Sequence, residues 1–223
     1  MKKLLVFAVL LVSCLTGSAN ADVIISQYYE GTSNNKWIEI TNVGNSAIDL
    51  GAGNYKLSGF QNANRELWKT GNDASINGGT FSLTGTLAAG STIWLRHNLA
   101  DTPAYALGGS INAGTSGVNF NGDDSVVLWA GTSFSFANVV DVFGVTASTA
   151  ANTSFVRNAD VLTGTNADFN ASQWQQFTNL VVDGAGVGTT ERIGFHSFNA
   201  VPEPGSLLIM GTVVAFGAMR RRR

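Results

Sequence analysis

The chain has 223 residues, 13 basic against 15 acidic, 44 % of them hydrophobic, with a single cysteine, Cys14. The near-neutral total hides an asymmetry. Residues 22–199 hold seven Lys or Arg against fourteen Asp or Glu, a net charge of −7, while Lys2, Lys3, Arg220, Arg221, Arg222 and Arg223 supply the remaining cations. An acidic domain without clustered cations repels phosphate backbones, so no nucleic-acid partner is expected, and the lack of cysteine beyond residue 14 excludes disulfides, Cys-based metal sites and thiol catalysis.

The chain opens as a secretory leader. Lys2 and Lys3 form a positive flank, Leu4 to Val12 an apolar stretch too short to span a bilayer, and Ala19-Asn20-Ala21 a small-x-small cleavage site. Residues 1–21 are therefore expected to be a signal peptide that the Sec translocon reads. Leu11-Val12-Ser13-Cys14 also has the form of a lipobox, in which Cys14 would be acylated. The position of Cys14, so near the start, and the Ala-x-Ala site after it favour cleavage behind Ala21.

From Asp22 onward the texture is β. VIISQYY (23–29), KWIEITN (36–42), STIWLRH (91–97), SVVLWA (125–130) and NVVDVFG (138–144) are short runs rich in β-branched and aromatic residues. Clusters of Gly, Asn, Asp and Ser separate them: GTSNN before Lys36, VGNS at 43–46 and NGDD at 121–124. Many short strands at this spacing predict an all-β sandwich or barrel in one domain, residues 22–198. Alternation assigns the faces. Ile38 and Ile40 share one face of the second run and Ile93 and Leu95 one face of the third; with Val126 and Leu128 they form the expected core. Residues 147–170, polar and poor in aliphatics, read as long loops or edge strands.

The motifs IISQYYEGTSNNKWIEITNVGNSAIDL, GTLAAGSTIWLRH, VNFNGDDSVVLWAG and NVVDVFG, in that order, resemble the bacterial lamin-tail domain. The resemblance covers 23–144 and continues more loosely through NTSFVRN and ADFNASQWQQF. It implies an immunoglobulin-like β-sandwich that works as a non-catalytic accessory for binding or tethering. It carries over no catalytic residue and implies no cofactor.

The last 25 residues, 199–223, have a different character. Val201-Pro202-Glu203-Pro204 precedes an apolar stretch from about Gly205 to Met219 and then Arg220, Arg221, Arg222 and Arg223. These parts together resemble the PEP-CTERM sorting signal, which implies an exosortase, a membrane-embedded protease, as partner. Physical chemistry points the same way. Fifteen helical residues span about 22 Å, short of the ~30 Å hydrocarbon core, so this predicted transmembrane helix is a poor lasting anchor. The arginines hold the C-terminus in the cytoplasm, and the two prolines keep the preceding strip extended. A plain tail anchor is the other reading of the stretch. Either way the domain faces away from the cytoplasm, transiently at the inner membrane and then at the cell surface or outside it.

Candidate chemistry inside the domain is sparse. In NFNGDD, Asp123 and Asp124 are the candidate calcium ligands, though no Glu follows at the twelfth position of an EF-hand loop and an Asn-Gly turn explains the string without a metal. His97 and His196 are the two histidines, and no G-x-S-x-G elbow accompanies them. Trp37 and Trp94 stand opposite the aliphatic pairs and Trp68 lies in polar NRELWKTGND, so these three are the candidate platform for an extracellular polysaccharide. Burial under loops is the alternative. Three functions follow: a structural or adhesive surface component, a polysaccharide-binding module, and a hydrolase built on His97 or His196.

Overall fold

The computed structural model describes residues 22–101, 109–144, 150–178 and 193–199. The predicted signal peptide, with Cys14, Ala19 and Ala21, lies outside these residues, as does the predicted sorting tail, Val201 to Arg223. Among the described residues no helix is long and apolar enough to cross a membrane.

Among the described residues, twelve strands make two facing sheets and a small ribbon. They are β1 (Val23–Glu30), β2 (Lys36–Asn42), β3 (Ile48–Asp49), β4 (Tyr55–Phe60), β5 (Thr80–Ser82), β6 (Thr86–Leu87), β7 (Thr92–Arg96), β8 (Ser110–Asn112), β9 (Ser125–Ala130), β10 (Val139–Gly144), β11 (Thr153–Arg157) and β12 (Trp174–Thr178). The larger sheet runs β12-β11-β1-β2-β7-β8, the smaller β10-β9-β4-β5, and β3 pairs with β6. Every pair is antiparallel except β7 with β8. This is the expected all-β, immunoglobulin-like sandwich.

The main core fills the space between the sheets. Ile38, Ile40, Leu95, Phe155 and Trp174 from one side meet Leu57, Val126, Leu128 and Phe143 from the other. Ile93 packs there while partly exposed. Tyr28 stacks on Phe143 across the interface, ring centroids 4.1 Å apart. With no crosslink available, this contact area is what holds the layers, at about 25 cal/mol per Å² of apolar surface removed from water.

One irregularity decides how β1 works. Its register against β2 shifts between Ile25 and Gln27, leaving Ser26 as an extra residue. A bulge reverses the parity of the side chains that follow. Val23 and Ile25 therefore face the core before it, and Tyr28 faces the core after it, with Tyr29 turned outward.

The segment 147–170 differs from the expectation. Thr153–Arg157 is an internal strand, buried along its whole length and flanked by β1 and β12, so the edge belongs to β12. Only two of its five residues, Phe155 and Val156, are apolar. Its polar members are held by specific partners: Gln27 Nε2 donates to Ser154 Oγ at 3.0 Å, and Arg157 is tied to an acid on the facing sheet.

Candidate functional site

All three tryptophans expected to form an exposed platform are buried. Trp37 and Trp94 are each 1 % exposed and Trp68 is 3 % exposed, so none offers a ring face for stacking on a sugar. Alternation separates the two faces of these strands as expected, but the outer face is covered too. Trp37 and Trp94 join Tyr29, Ala100 and Ile193 in a second cluster outside the larger sheet. Trp68 joins Phe60, Val127, Trp129, Phe134 and Val142 in a third, outside the smaller sheet. Short 3-10 turns at Asn62–Asn64, Leu67–Thr70 and Asp73–Ser75 lay the intervening loop over that face. Asp73 pins it by accepting from the Phe134 amide at 2.7 Å.

The outer cluster on the larger sheet surrounds one acid. Glu39 lies between Ile38 and Ile40 on β2, yet it is fully buried, paired across from Gln27 and Trp94. Its Oε1 accepts from Ser26 Oγ at 2.6 Å, and its Oε2 accepts from the amides of Gly194 and Phe195 at 2.7 and 3.1 Å. Behind Ser26 the hydroxyls continue, Thr41 Oγ1 donating to Ser26 Oγ at 2.7 Å and meeting Thr92 Oγ1 at 2.9 Å. Burial raises the Glu39 carboxyl to about 7, and the three hydrogen bonds oppose that rise. The row of hydroxyls suits either protonation state, because each rotor can turn to donate toward Glu39 or away from it. Glu39 thus fastens residues 193–199 across the sheet, and Ile193 plugs the aromatic cluster beneath them. Nothing in the sequence marks this acid, since Glu flanked by two core isoleucines is the ordinary solvent-facing pattern of a half-buried strand.

A second buried acid joins the two sheets. Asp141 Oδ2 on β10 lies 2.5 Å from Arg157 Nη2 on β11, both side chains out of solvent. Asp141 also accepts from the amides of Ile25 at 2.8 Å and Thr165 at 3.0 Å. Arg157 donates through Nε to the Ile25 carbonyl at 3.3 Å and through Nη1 to Gln173 Oε1 at 3.0 Å, and its guanidinium stacks 4.1 Å over Trp174. The β1–β11 ladder stops at Gln27 and Val156. Beyond it these two side chains satisfy the backbone groups of Ile25 that the bulge leaves without a strand.

The acids of NGDD serve the fold in the same manner. Asp124 is buried, its Oδ1 accepting from the Asn62 amide at 2.7 Å and its Oδ2 from the Asn121 amide at 3.0 Å. With its side chain turned to match, Asn121 also donates to Asp123 Oδ1 at 2.6 Å. Burial raises the Asp124 carboxyl, and the neighbouring Asp123 adds to the rise. Oxygens committed to donors are a poor calcium shell. Among the described residues no group of three His, Cys, Asp or Glu is placed to hold a metal.

The two histidines have different surroundings. His97 is buried beside Lys36, its Nδ1 accepting from the Leu99 amide at 3.1 Å, and burial with the Lys36 charge lowers its pKa. His196 lies within the field of Arg157, and burial followed by that charge lowers it to about 4. Both are neutral at physiological pH. A cleft of about 280 Å³ is lined by Arg65, Lys69, Asp168 and Phe169 among others. Lys69 there is already paired with Glu66 and Asp168.

Comparison with protein families decides the assignment. The model for the Lamin Tail Domain matches residues 16–190. The chain belongs to the lamin tail domain family. A second model, for the PEP-CTERM protein-sorting motif, matches residues 200–223. No curated protein and no solved structure matches the chain. The lamin tail match extends through β11 and β12, so the loose second half of the resemblance is part of the same module. Beyond the match comes the strap that Glu39 holds, and the sorting motif begins directly after it. That motif marks the chain for export and for processing at a membrane by an exosortase.

Proposed function

We propose that this lamin tail protein is a non-catalytic module, carried through the Sec translocon, trimmed by exosortase and left at the cell surface or in extracellular polymer as a structural or adhesive component. The sorting motif over residues 200–223 carries this reading. In it, residues 1–21 are removed after Ala21, residues 22–198 are the working module, and Val201, Pro202, Glu203 and Pro204 with Arg220, Arg221, Arg222 and Arg223 form the disposable tail.

The domain supports a passive role. Its buried carboxylates and histidines are engaged in packing rather than gathered in a cleft, and loops cover the outer faces of both sheets. Intact-mass measurement of the exported protein tests the reading. The expected product begins at Asp22 and lacks Gly205 to Arg223, and recovery of the arginines on exported protein from an exosortase-containing host overturns it.

A further inference from the structure

Residues 22–199 hold seven cations, and six of them are among the described residues. Five of the six are engaged by groups of the protein. Lys36 pairs with Glu30, Lys69 with Glu66 and Asp168, and Arg157 with Asp141, while Lys56 donates to the Gly131 carbonyl and Arg96 to Ser110 Oγ. Arg65 is the exception. Among the described residues its guanidinium forms no ion pair, and its Nε–H is out of solvent without a hydrogen-bond partner. A buried donor left unmet destabilises the fold, so its retention points to a partner that the fold itself does not supply.

Arg65 also forms part of the wall of the cleft of about 280 Å³. That volume is at the small end of ligand pockets, roughly 300–1,000 Å³, and holds one ring rather than a length of chain. Val142 and Phe169 make an apolar side, and Ser125 adds a hydroxyl. Glu66 and Asp168 stand half in solvent or further out, joined by Lys69 between them.

The walls are set by the fold. Arg65 closes the 3-10 turn Asn62–Asn64, its amide donating to the Asn62 carbonyl at 3.0 Å. The entry to that turn is pinned twice, by the Gln61 amide on Asn77 Oδ1 and by the Asn62 amide on Asp124 Oδ1, each at 2.7 Å. On the apolar side Phe169 packs edge-on to Phe143, ring centroids 5.5 Å apart. A site ordered in advance loses less freedom on binding.

The charges select the ligand. Two carboxylates already neutralise Lys69, which leaves the Arg65 guanidinium for an anion. Rotation about its own side-chain bonds turns the Nε–H and Nη–H edge toward the cleft, and that edge matches the two oxygens of a carboxylate. Glu66 and Asp168 add acceptors suited to hydroxyl donors, and Phe169 a surface suited to C–H groups. An acidic sugar ring offers all three kinds of group. An acidic peptide side chain offers the carboxylate but no hydroxyls.

We propose that this cleft binds a uronate unit of an acidic extracellular polysaccharide, its carboxylate on Arg65 and its hydroxyls on Glu66 and Asp168. The proposal rests on the extracellular reading above for the source of the ligand, and it gives the adhesive role a place on the molecule. The domain as a whole is acidic, so a polyanion is repelled from its other faces, and capture at Arg65 sets which face meets the polymer.

Titration of the exported protein with trigalacturonate, and with the same trisaccharide after its carboxyls are reduced to alcohols, tests the site. The acidic trisaccharide is expected to bind and to shift the amide resonances of residues 65–69 and 167–169. The reduced one is expected to bind roughly tenfold more weakly or less, as loss of a charged hydrogen-bonded pair implies. Arg65→Ala is expected to keep the native melting temperature, since its side chain has no protein partner, and to lose affinity by a similar factor. Arg65→Lys keeps the charge without the fork and should fall between the two. Failure of the native protein to bind trigalacturonate, equal binding of the two trisaccharides, or native affinity in Arg65→Ala overturns the proposal. Tetraglutamate or inorganic sulfate bound as tightly as trigalacturonate overturns it too, because the anion alone would then account for binding. Intact mass judges the exosortase reading separately: arginines retained on the exported protein overturn that reading and leave the outcome of the titration unchanged.

Discussion

Arg157 and Asp141 approach to 2.5 Å across the two sheets, with side chains 1 % and 0 % exposed. Removing one partner strands the other charge out of water, which typically costs about 3–5 kcal/mol. Asp141→Ala and Arg157→Met are each expected to destabilise by that amount in denaturant titration. The double variant Asp141→Leu, Arg157→Met should recover part of the loss but not all. The amide and carbonyl of Ile25 would still lack partners, at about 1–3 kcal/mol. Full recovery would show that the pair does not serve the bulge.

Glu39 and His196 impose opposite pH dependences. Glu39 titrates near 7 in the fold against 4.5 unperturbed, so its contribution is complete below pH 4.5 and is lost as pH rises through 7. His196 titrates near 4 in the fold against 6.5, so its contribution is complete above pH 6.5 and is lost as pH falls through 4. Between pH 4.5 and 6.5 the two slopes oppose each other. Glu39→Gln removes one of them. Its stability relative to the native protein is expected to climb by about 3 kcal/mol between pH 4.5 and 7.5, since a proton held across each further pH unit is worth about 1.4 kcal/mol. A pH-independent difference between the two proteins refutes the buried acid.

Gly122 cannot be replaced cheaply. Its φ is +90°, and a side-chain carbon there would fall 2.2 Å from the Ala151 amide nitrogen. Strain of that backbone region costs about 1–3 kcal/mol, and the overlap adds to it. Gly122→Ala should lower the melting temperature by more than any neutral surface substitution, and an unchanged Tm would place the NGDD turn elsewhere.

The five tryptophans, Trp37, Trp68, Trp94, Trp129 and Trp174, are all buried. Their emission is expected to be blue-shifted and nearly insensitive to acrylamide until the domain unfolds. Trp37→Ala should cost about 3–5 kcal/mol, as deletion of a large core side chain does. Easy quenching of the native domain would restore the exposed-platform idea that burial removes.

Five strands are legible in the sequence because their apolar and β-branched residues cluster in short runs between turn residues. β4, YKLSGF, is not, because Lys56, Ser58 and Gly59 dilute it and it becomes a strand only by pairing with β5 and β9. Gly59 is needed there for close approach: its backbone meets that of Gly78, whose amide donates to the Gly59 carbonyl at 2.9 Å. β11 and Glu39 escape a local reading for a related reason. Their polar residues are buried with partners more than a hundred positions away, as Ser154 is with Gln27 and Glu39 with Gly194.

Local composition and short-range period suffice for the class of fold and for the aliphatic core, and the sorting motif over 200–223 is legible from its residues alone. Which faces are wet is a different matter, and it is fixed only when the chain has folded. Period-two alternation distinguishes two sides of a strand but carries no information about what a distant loop lays over either one. That is why Trp37 and Trp94 lie beneath the strap at Ile193, and why an acid in a strand becomes the catch that holds it.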